Sequence, residues 1–362
     1  MRRILSYIIG LPLKIFSILI AVALLLSYLS IYINPEKIWI PAFFGLLFLP
    51  LFLLNMLLTV VWLMIKYKTA WINGCSLIPS LFYLPLFIQL RLGAGTPAPA
   101  TEAVHHIKVV SYNVHLFGLL GKETNMVTLP GITKFIEAEN PDIICLQELS
   151  TFDTASVNRA FKRYPYHHYH LNWRRNGAFF GIVTFSRYPI TDSGNFSFPN
   201  TNNRSTFTDI VIAQKVVRVY NTHLQSVHIN LEKTALRLQQ EEWRNEELRD
   251  VSGRLKSGFI KRAQQVNHIT RHMDASPYPI VVCGDFNDMP VSYTYRKMKG
   301  GRNDCFTEAG SGVASTYKSV WPAFRIDYVF CDKQFDVVRY KIEKPPFSDH
   351  YPVAVELRIP KK

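Results

Sequence analysis

The sequence predicts an α/β domain preceded by an N-terminal transmembrane helical region. Three observations carry that expectation. Long uncharged apolar runs are confined to the first ninety or so of the 362 residues. From Ile107 onward, β-rich apolar runs alternate with stretches of helical spacing. The polar part is also basic: seven of the 41 Lys/Arg and two of the 27 Asp/Glu precede His105, which leaves 34 bases against 25 acids. Such a balance favours an anionic ligand. With 48% apolar and 19% charged residues, the chain is neither disordered nor collagen-like.

Residues 14–33 carry no charge after Lys14 and approach the ~20 apolar residues that cross the hydrocarbon of a bilayer. Residues 38–65 form a second uncharged run, with Pro41 and Pro50 inside, closed by Lys66-Tyr67-Lys68. A third run, 71–90, contains Asn73, Pro79, Pro85 and Gln89. No small-residue cleavage site follows the first run and a second comes at once, which reads as a span and not a signal peptide. Residues 1–92 are therefore expected to be a multi-pass region of about three helices in a bacterial-type cytoplasmic membrane. Arg2, Arg3 and Lys14 hold the N-terminus inside, and Lys66 and Lys68 return to that side after two crossings. A third crossing, the reading the sequence prefers, places the large domain on the extracytoplasmic side; an interfacial or re-entrant third run leaves it inside. Residues 93–104, rich in small residues and proline, form an expected flexible linker.

Residues 105–362 read as one domain. Strands are expected over 107–112, 142–146, 179–185, 206–213, 216–222, 279–283, 326–330 and 353–357. A helix is expected over Thr128–Glu139, ended by Asn140-Pro141, and another over 259–273. The stretch 231–255 is charged with helical spacing and suits a solvated face. Cys145, Cys283 and Cys331 sit in apolar runs, where a thiol behaves as a small buried hydrophobe, and no CxxC pair is present.

The informative pattern is where the polar residues fall. Asn113, Glu148, His223, Asp285, Asn287, Asp327, Asp349 and His350 each lie at or beside the end of an apolar run. Strand ends of one sheet or sandwich lie together, and the loops there carry chemistry on a rigid support. Each residue alone has an ordinary role: Asn113 caps a turn, Asp327 pairs with Arg325, His350 is a satisfied core imidazole. Together they have no such reading, because buried groups of this kind need partners. Carboxylates, amides and two histidines without a thiolate suit a hard divalent cation such as Mg²⁺ or Mn²⁺. An ion of that kind neutralises a phosphoryl oxygen and lowers the pKa of bound water. There is no Ser nucleophile elbow, Walker A loop or dinucleotide fingerprint.

The segments Ser111-Tyr112-Asn113-Val114-His115, Leu146-Gln147-Glu148, Ser186-Arg187-Tyr188-Pro189-Ile190, Asn221-Thr222-His223-Leu224, Gly284-Asp285-Phe286-Asn287-Asp288, Arg325-Ile326-Asp327-Tyr328-Val329 and Ser348-Asp349-His350 follow one another in a specific order. That ordered set resembles the endonuclease/exonuclease/phosphatase superfamily, which includes DNase I, abasic-site endonucleases, neutral sphingomyelinases and inositol 5-phosphatases. The resemblance covers nearly all of 107–359. It implies a four-layer α/β sandwich, two mixed sheets face to face with helices outside. It also implies Glu148 as principal metal ligand with Asn113 and Asp349 nearby. Asp285 would orient or deprotonate the attacking water, and Asn287 and His223 would contact phosphate. Asp327 would partner His350, whose role as base or stabiliser stays open, and Arg187 would be a further substrate contact. Arg262 and Gln265 match a pair that members carry, with a structural role. His115 departs from the aspartate of the abasic-site enzymes, which thins the metal shell on that side.

The implied activity is hydrolysis of phosphodiesters, in nucleic acid or a phospholipid headgroup, by a membrane-anchored enzyme. An inositol-phosphatase-type phosphomonoesterase would want a dense Lys/Arg cluster around the site, which the sequence does not display. A catalytically inactive binding module fits poorly with retention of Asp285-Phe286-Asn287 and Asp349-His350. Residues 164–175, with Tyr164, Tyr166, Tyr169, Trp173, Arg174 and Arg175, suit base stacking or, more simply, an edge strand.

Overall fold

Strand alternation explains most of the architecture. In residues 107–113 the odd positions Ile107 and Val109 are buried in one apolar cluster, whereas the even positions Val110 and Tyr112 belong to another. A strand apolar on both faces must be covered on both, which requires a second sheet on one side and helices on the other. A computed structural model of the chain shows that arrangement. It describes residues 2–91, 105–118, 128–174, 177–227, 241–318 and 324–359; the expected linker 93–104 lies outside the described residues.

In chain order the strands are β1 (Ile88–Gln89), β2 (His105–Asn113), β3 (Ile143–Thr151), β4 (Tyr166–Trp173), β5 (Phe179–Ser186), β6 (Ile190–Ser197), β7 (Arg204–Ile212), β8 (Lys215–His223), β9 (Ile280–Asp285), β10 (Asn303–Asp304), β11 (Gly312–Val313), β12 (Asp327–Cys331), β13 (Asp336–Ile342) and β14 (Val353–Ile359). One sheet has the order β13-β14-β2-β3-β5-β4 and the other β10-β12-β9-β8-β7-β6; β1 and β11 form a separate pair. Both large sheets are mixed, with parallel pairs β2/β3 and β8/β9. Ile107, Val109, Ile143 and Cys145 from the first sheet share a core with Val217, Val219, Val281, Cys283 and Val329 from the second. On the outer face of the first sheet, Ile132 and Ile136 of helix Thr128–Glu139 cover Val110, Ile144 and Leu146. On the second, His272, near the end of helix Glu241–Asp274, meets the Tyr220 hydroxyl at 2.7 Å. This is the expected four-layer sandwich.

By contacts the chain divides into two compact units. One comprises residues 1–85, 227–264 and 288–296; the other comprises 86–226, 265–287 and 297–362 and holds both large sheets. In the first unit, helix Arg2–Leu29 precedes helices Ile40–Leu46 and Phe48–Lys66. The stretches Gly10–Leu29 and Phe48–Thr69 are long and apolar enough to cross a membrane, with mean hydropathies of 2.2 and 2.3. Their packing uses buried polar groups: the Trp62 indole donates to Ser17 Oγ at 2.8 Å, and Asn73 Nδ2 donates to Asn55 Oδ1 at 2.7 Å.

The expected single helices over 38–65 and 71–90 are broken. Pro41 and Pro50 each fall in the first turn of a separate helix, where the missing N–H costs nothing. The third run holds only a seven-residue α-helix, Trp71–Leu77, followed by the 3₁₀ turns Ile78–Phe82 and Leu84–Leu86. Pro79 and Pro85 remove the donors that a continuous helix needs.

Candidate active site

The parity that builds the core also builds the site. Residues 217, 219, 221 and 223 of β8 alternate toward the facing sheet, as do 281, 283 and 285 of β9 and 327 and 329 of β12. At the site end the inward positions are His223 and Asp285, which end β8 and β9, and Asp327, which begins the antiparallel β12. Register sets Asp285 opposite both His223 and Asp327, so the three stand side by side on neighbouring strands ~4.8 Å apart. From the facing sheet, Asn113 ends β2 and donates through Nδ2 to Asp285 Oδ2 at 3.0 Å. Gln147 of β3 donates to Asn221 Oδ1 of β8 at 2.7 Å and ties the two sheets together.

Two site residues sit in left-handed backbone. Glu148 has φ +52° and lies where the β3 register shifts between Leu146 and Leu149. The bulge turns its carboxylate out of strict alternation, and Glu148 Oε1 stands 3.4 Å from His223 Nε2. Asn287 has φ +51°. Its backbone N–H donates to Asp285 Oδ1 at 2.8 Å and its amide donates to Asp285 Oδ2 at 3.1 Å. Non-glycine residues held in this region point to functional sites.

The loop before β14 supplies Asp349 and His350. Ser348 Oγ donates to the Asn113 carbonyl at 2.7 Å and accepts from the His350 N–H at 3.1 Å. His350 Nδ1 is 3.0 Å from Asp327 Oδ2, and its Nε2 is 3.7 Å from Asp285 Oδ2. Asp349 Oδ1 meets His115 Nδ1 at 3.1 Å. Asp327 thus pairs with His350; Arg325, its sequence-level alternative partner, instead forms a fully buried ion pair with Asp304.

Burial pushes the Asp285 carboxyl up to about 6, against the pull of His350. Burial opposes the His350 cation, but Asp327 and Asp285 outweigh it and raise the imidazole to about 10. Burial likewise works against the Asp349 carboxylate, yet the His115 hydrogen bond and the two imidazoles hold it below the ordinary value. That same bond raises His115.

Glu148, His223 and Asp285 offer ligand atoms that all lie within 4.8 Å of one another, as do Asp285, Asp327 and His350. The buried His223 Nε2 has no hydrogen-bond partner among the described residues. An orphaned imidazole nitrogen between two carboxylates, with oxygen donors around it, fits a divalent cation. The donor set that contains this unpartnered nitrogen is Glu148 with His223 and Asp285. Asn113 and Asp349, the other expected ligands, adjoin it but direct their hydrogen bonds to Asp285 and His115.

Eight of the nine sequence-predicted site residues come together. Arg187 does not, which corrects its expected substrate contact. It follows Ser186, which pairs with Ile143 at the start of β3, the opposite end of that strand from Glu148. There it bonds Asn140 and lies 3.6 Å from Asp142. Gln265 accepts from the Gln225 N–H at 2.9 Å, and Arg262 pairs with Asp288 at 3.2 Å. Residues 166–173 form β4, an edge strand.

Sequence reasoning missed Thr316 and Tyr317. Thr316 Oγ1 accepts from the Ile326 and Asp327 N–H groups, both at 3.0 Å, and so holds the Asp327 backbone. The Tyr317 ring stands edge-on to His350, centroids 4.9 Å apart. Burial, with the carboxylates of Asp349, Asp285 and Glu148, raises its phenol and keeps it a neutral donor. No apolar run marks this segment in the sequence.

A model of the Endonuclease/Exonuclease/phosphatase family matches residues 110–350, and a model of a domain of unknown function matches residues 9–87. No curated protein sequence matches the chain. Solved structures similar to it include an endonuclease/exonuclease/phosphatase from Beutenbergia cavernae DSM 12333, 21% identical over 70% of this chain and 72% of that one, with a TM-score of 0.53. A family protein from Leptotrichia buccalis C-1013-b is 17% identical over 69% and 99%, with a TM-score of 0.51. The human Nocturnin catalytic domain with bound sulfate is 19% identical over 70% and 94%, with a TM-score of 0.50. These likenesses show the fold. The family model spans most of the chain and both halves of the site, and the chain belongs to the Endonuclease/Exonuclease/phosphatase family, whose members hydrolyse phosphoester bonds.

Proposed function

We propose that this chain is a membrane-anchored, divalent-metal-dependent phosphodiesterase that hydrolyses its substrate by attack of water. The observation that carries this reading is the convergence of Glu148, His223, Asp285, Asp327 and His350 on one buried cluster. Glu148, His223 and Asp285, with Asn113 and Asp349 adjoining, would hold Mg²⁺ or Mn²⁺. Such an ion, when bound, neutralises phosphoryl charge and lowers the pKa of water.

The protein's own groups do the rest. Asp285, ionised when the metal is bound, accepts a proton from the attacking water. Asn287 fixes its orientation through two hydrogen bonds. Asn113 presents its amide to phosphoryl oxygens, while His223 serves the metal through Nε2. His350 is a cation at neutral pH; Asp327 anchors its Nδ1–H, which leaves Nε2–H directed into the site to stabilise the charge that develops. This favours the stabiliser role over the base role. The Nocturnin structure carries a bound sulfate, a tetrahedral anion of the kind required here.

Anchoring rests on the two apolar helices. Leu19, Leu57, Leu63 and Met64 are each more than half exposed, an apolar exterior that suits lipid. The substrate class is a phosphodiester of nucleic acid or of a phospholipid headgroup.

The test is to purify the full chain in detergent and assay it with Mg²⁺ against plasmid DNA, sphingomyelin and inositol phosphates. Phosphodiester hydrolysis, lost with EDTA and in Glu148→Ala and His350→Ala, is expected. Activity that survives both substitutions overturns the assignment. Protease treatment of intact cells reads the side of the membrane: cleavage of the large domain from outside supports a third crossing, and protection excludes it.

A further inference from the structure

The sequence showed no dense basic cluster at the site, but the fold assembles two lysines there. The segment Thr316–Lys318 runs antiparallel to Asp349–Tyr351. The Lys318 N–H donates to the Asp349 carbonyl at 2.8 Å, and the Tyr351 N–H donates to the Thr316 carbonyl at 2.7 Å. This short ladder brings two cations to one ring: Lys318 Nζ lies 5.9 Å and Lys344 Nζ 5.6 Å from the Tyr351 centroid. Both lysines are exposed. Neither has a carboxylate partner among the described residues, whereas nearby Lys341 is paired with Glu343. Two unpaired cations near one ring raise the local positive potential, which an anion lowers.

Lys344 also lines a cavity of about 260 Å³, together with Ser311, Ser315, Tyr340 and Lys341. Hydroxyls and ammonium groups are donors for a phosphate group. The loop that lines the cavity at Ser311 and Ser315 continues into Tyr317, against His350. Ser311, Ser315, Tyr317 and Lys318 thus lie on one loop, and Lys344 and His350 on the segment that faces it.

We propose that Lys318 and Lys344, with this cavity, form a second anion site that takes an additional phosphate group of the substrate. The proposal rests on the phosphoesterase reading of the neighbouring centre. It makes the preferred substrate a diester bearing a further phosphate, from a lipid headgroup or a soluble phosphorylated molecule, over a zwitterionic headgroup.

The experiment titrates inorganic pyrophosphate into the full chain in EDTA, which silences the metal centre, and reads heat or thermal stabilisation. Binding is expected in the native chain and in Glu148→Ala. In the double variant Lys318→Met/Lys344→Met, which keeps the apolar stems, affinity should fall about tenfold or more. Added salt should weaken the native binding, because the lysines are exposed. No pyrophosphate binding by the native chain, or equal binding by the double variant, overturns the proposal. The same titration in phosphatidylcholine proteoliposomes separates the sources: phosphatidic acid in the bilayer competes if the phosphate is lipid-borne and does not if it is soluble. Activity that survives Glu148→Ala sinks the catalytic reading and leaves the anion titration untouched, so the two failures are distinguishable.

Discussion

His350 Nδ1 lies 3.0 Å from Asp327 Oδ2, with both side chains buried. The contact fixes which imidazole nitrogen faces Asp285 and keeps the ring charged. In Asp327→Asn the neutral amide no longer favours the cation. The His350 pKa should fall well below about 10, and kcat should drop by about 10²–10³. NMR titration of the imidazole together with steady-state kinetics checks this; an unchanged titration would show that other groups hold the charge.

In chelator, the stability of the protein should depend on pH through the same pair. The folded pKa of His350, about 10, exceeds its ordinary 6.5, and that of Asp285, about 6, exceeds its ordinary 3.8. Both groups bind more protons folded than unfolded within those windows. Their contribution is complete below the unfolded values and is lost as pH rises, for Asp285 between 3.8 and about 6 and for His350 between 6.5 and about 10. Thermal unfolding in EDTA should show Tm declining from pH 6.5 upward, and His350→Asn should flatten that decline. Divalent metal should offset part of it, because bound metal needs Asp285 ionised.

Glu148 stores backbone strain at φ +52°. Asparagine tolerates that region better than glutamate. Glu148→Asn should therefore abolish hydrolysis while the metal-free protein unfolds at or above the native Tm. A lower Tm would mean that the carboxylate, with its His223 contact, outweighs the strain.

Gly284 precedes Asp285 with φ +137°, and a Cβ there would collide with the Thr222 carbonyl. The β8/β9 pairing that aligns His223 with Asp285 runs through that contact. Gly284→Ala should destabilise the protein by more than about 1 kcal/mol and reduce activity together, as read by thermal unfolding and kinetics. Native behaviour in both assays would show that the backbone shifts at little cost.

How much of this was legible depended on how local each cause is. The helix Thr128–Glu139 has the bounds expected from its spacing and its Asn140-Pro141 stop, because both signals lie within a few residues. The strands β2, β3, β8, β9 and β12 were visible as apolar runs because both of their faces are buried. β6 and β13, with largely exposed faces, left no such trace. Arg187 shows the opposite error: its motif is real, but the antiparallel turn of β5 carries it to the far end of the sheet.

Alone, the sequence determined the family, the alternation that makes two double-covered sheets, and the eight polar residues at strand ends, since these are properties of pattern along one chain. Tertiary structure decided which of them touch. It paired Asp327 with His350 and Arg325 with Asp304, drew His223 between Glu148 and Asp285, broke the third apolar run at its prolines, and set Lys318 and Lys344 on Tyr351. Those choices depend on register across strands distant in sequence, where a shift of one residue turns a side chain to the other face.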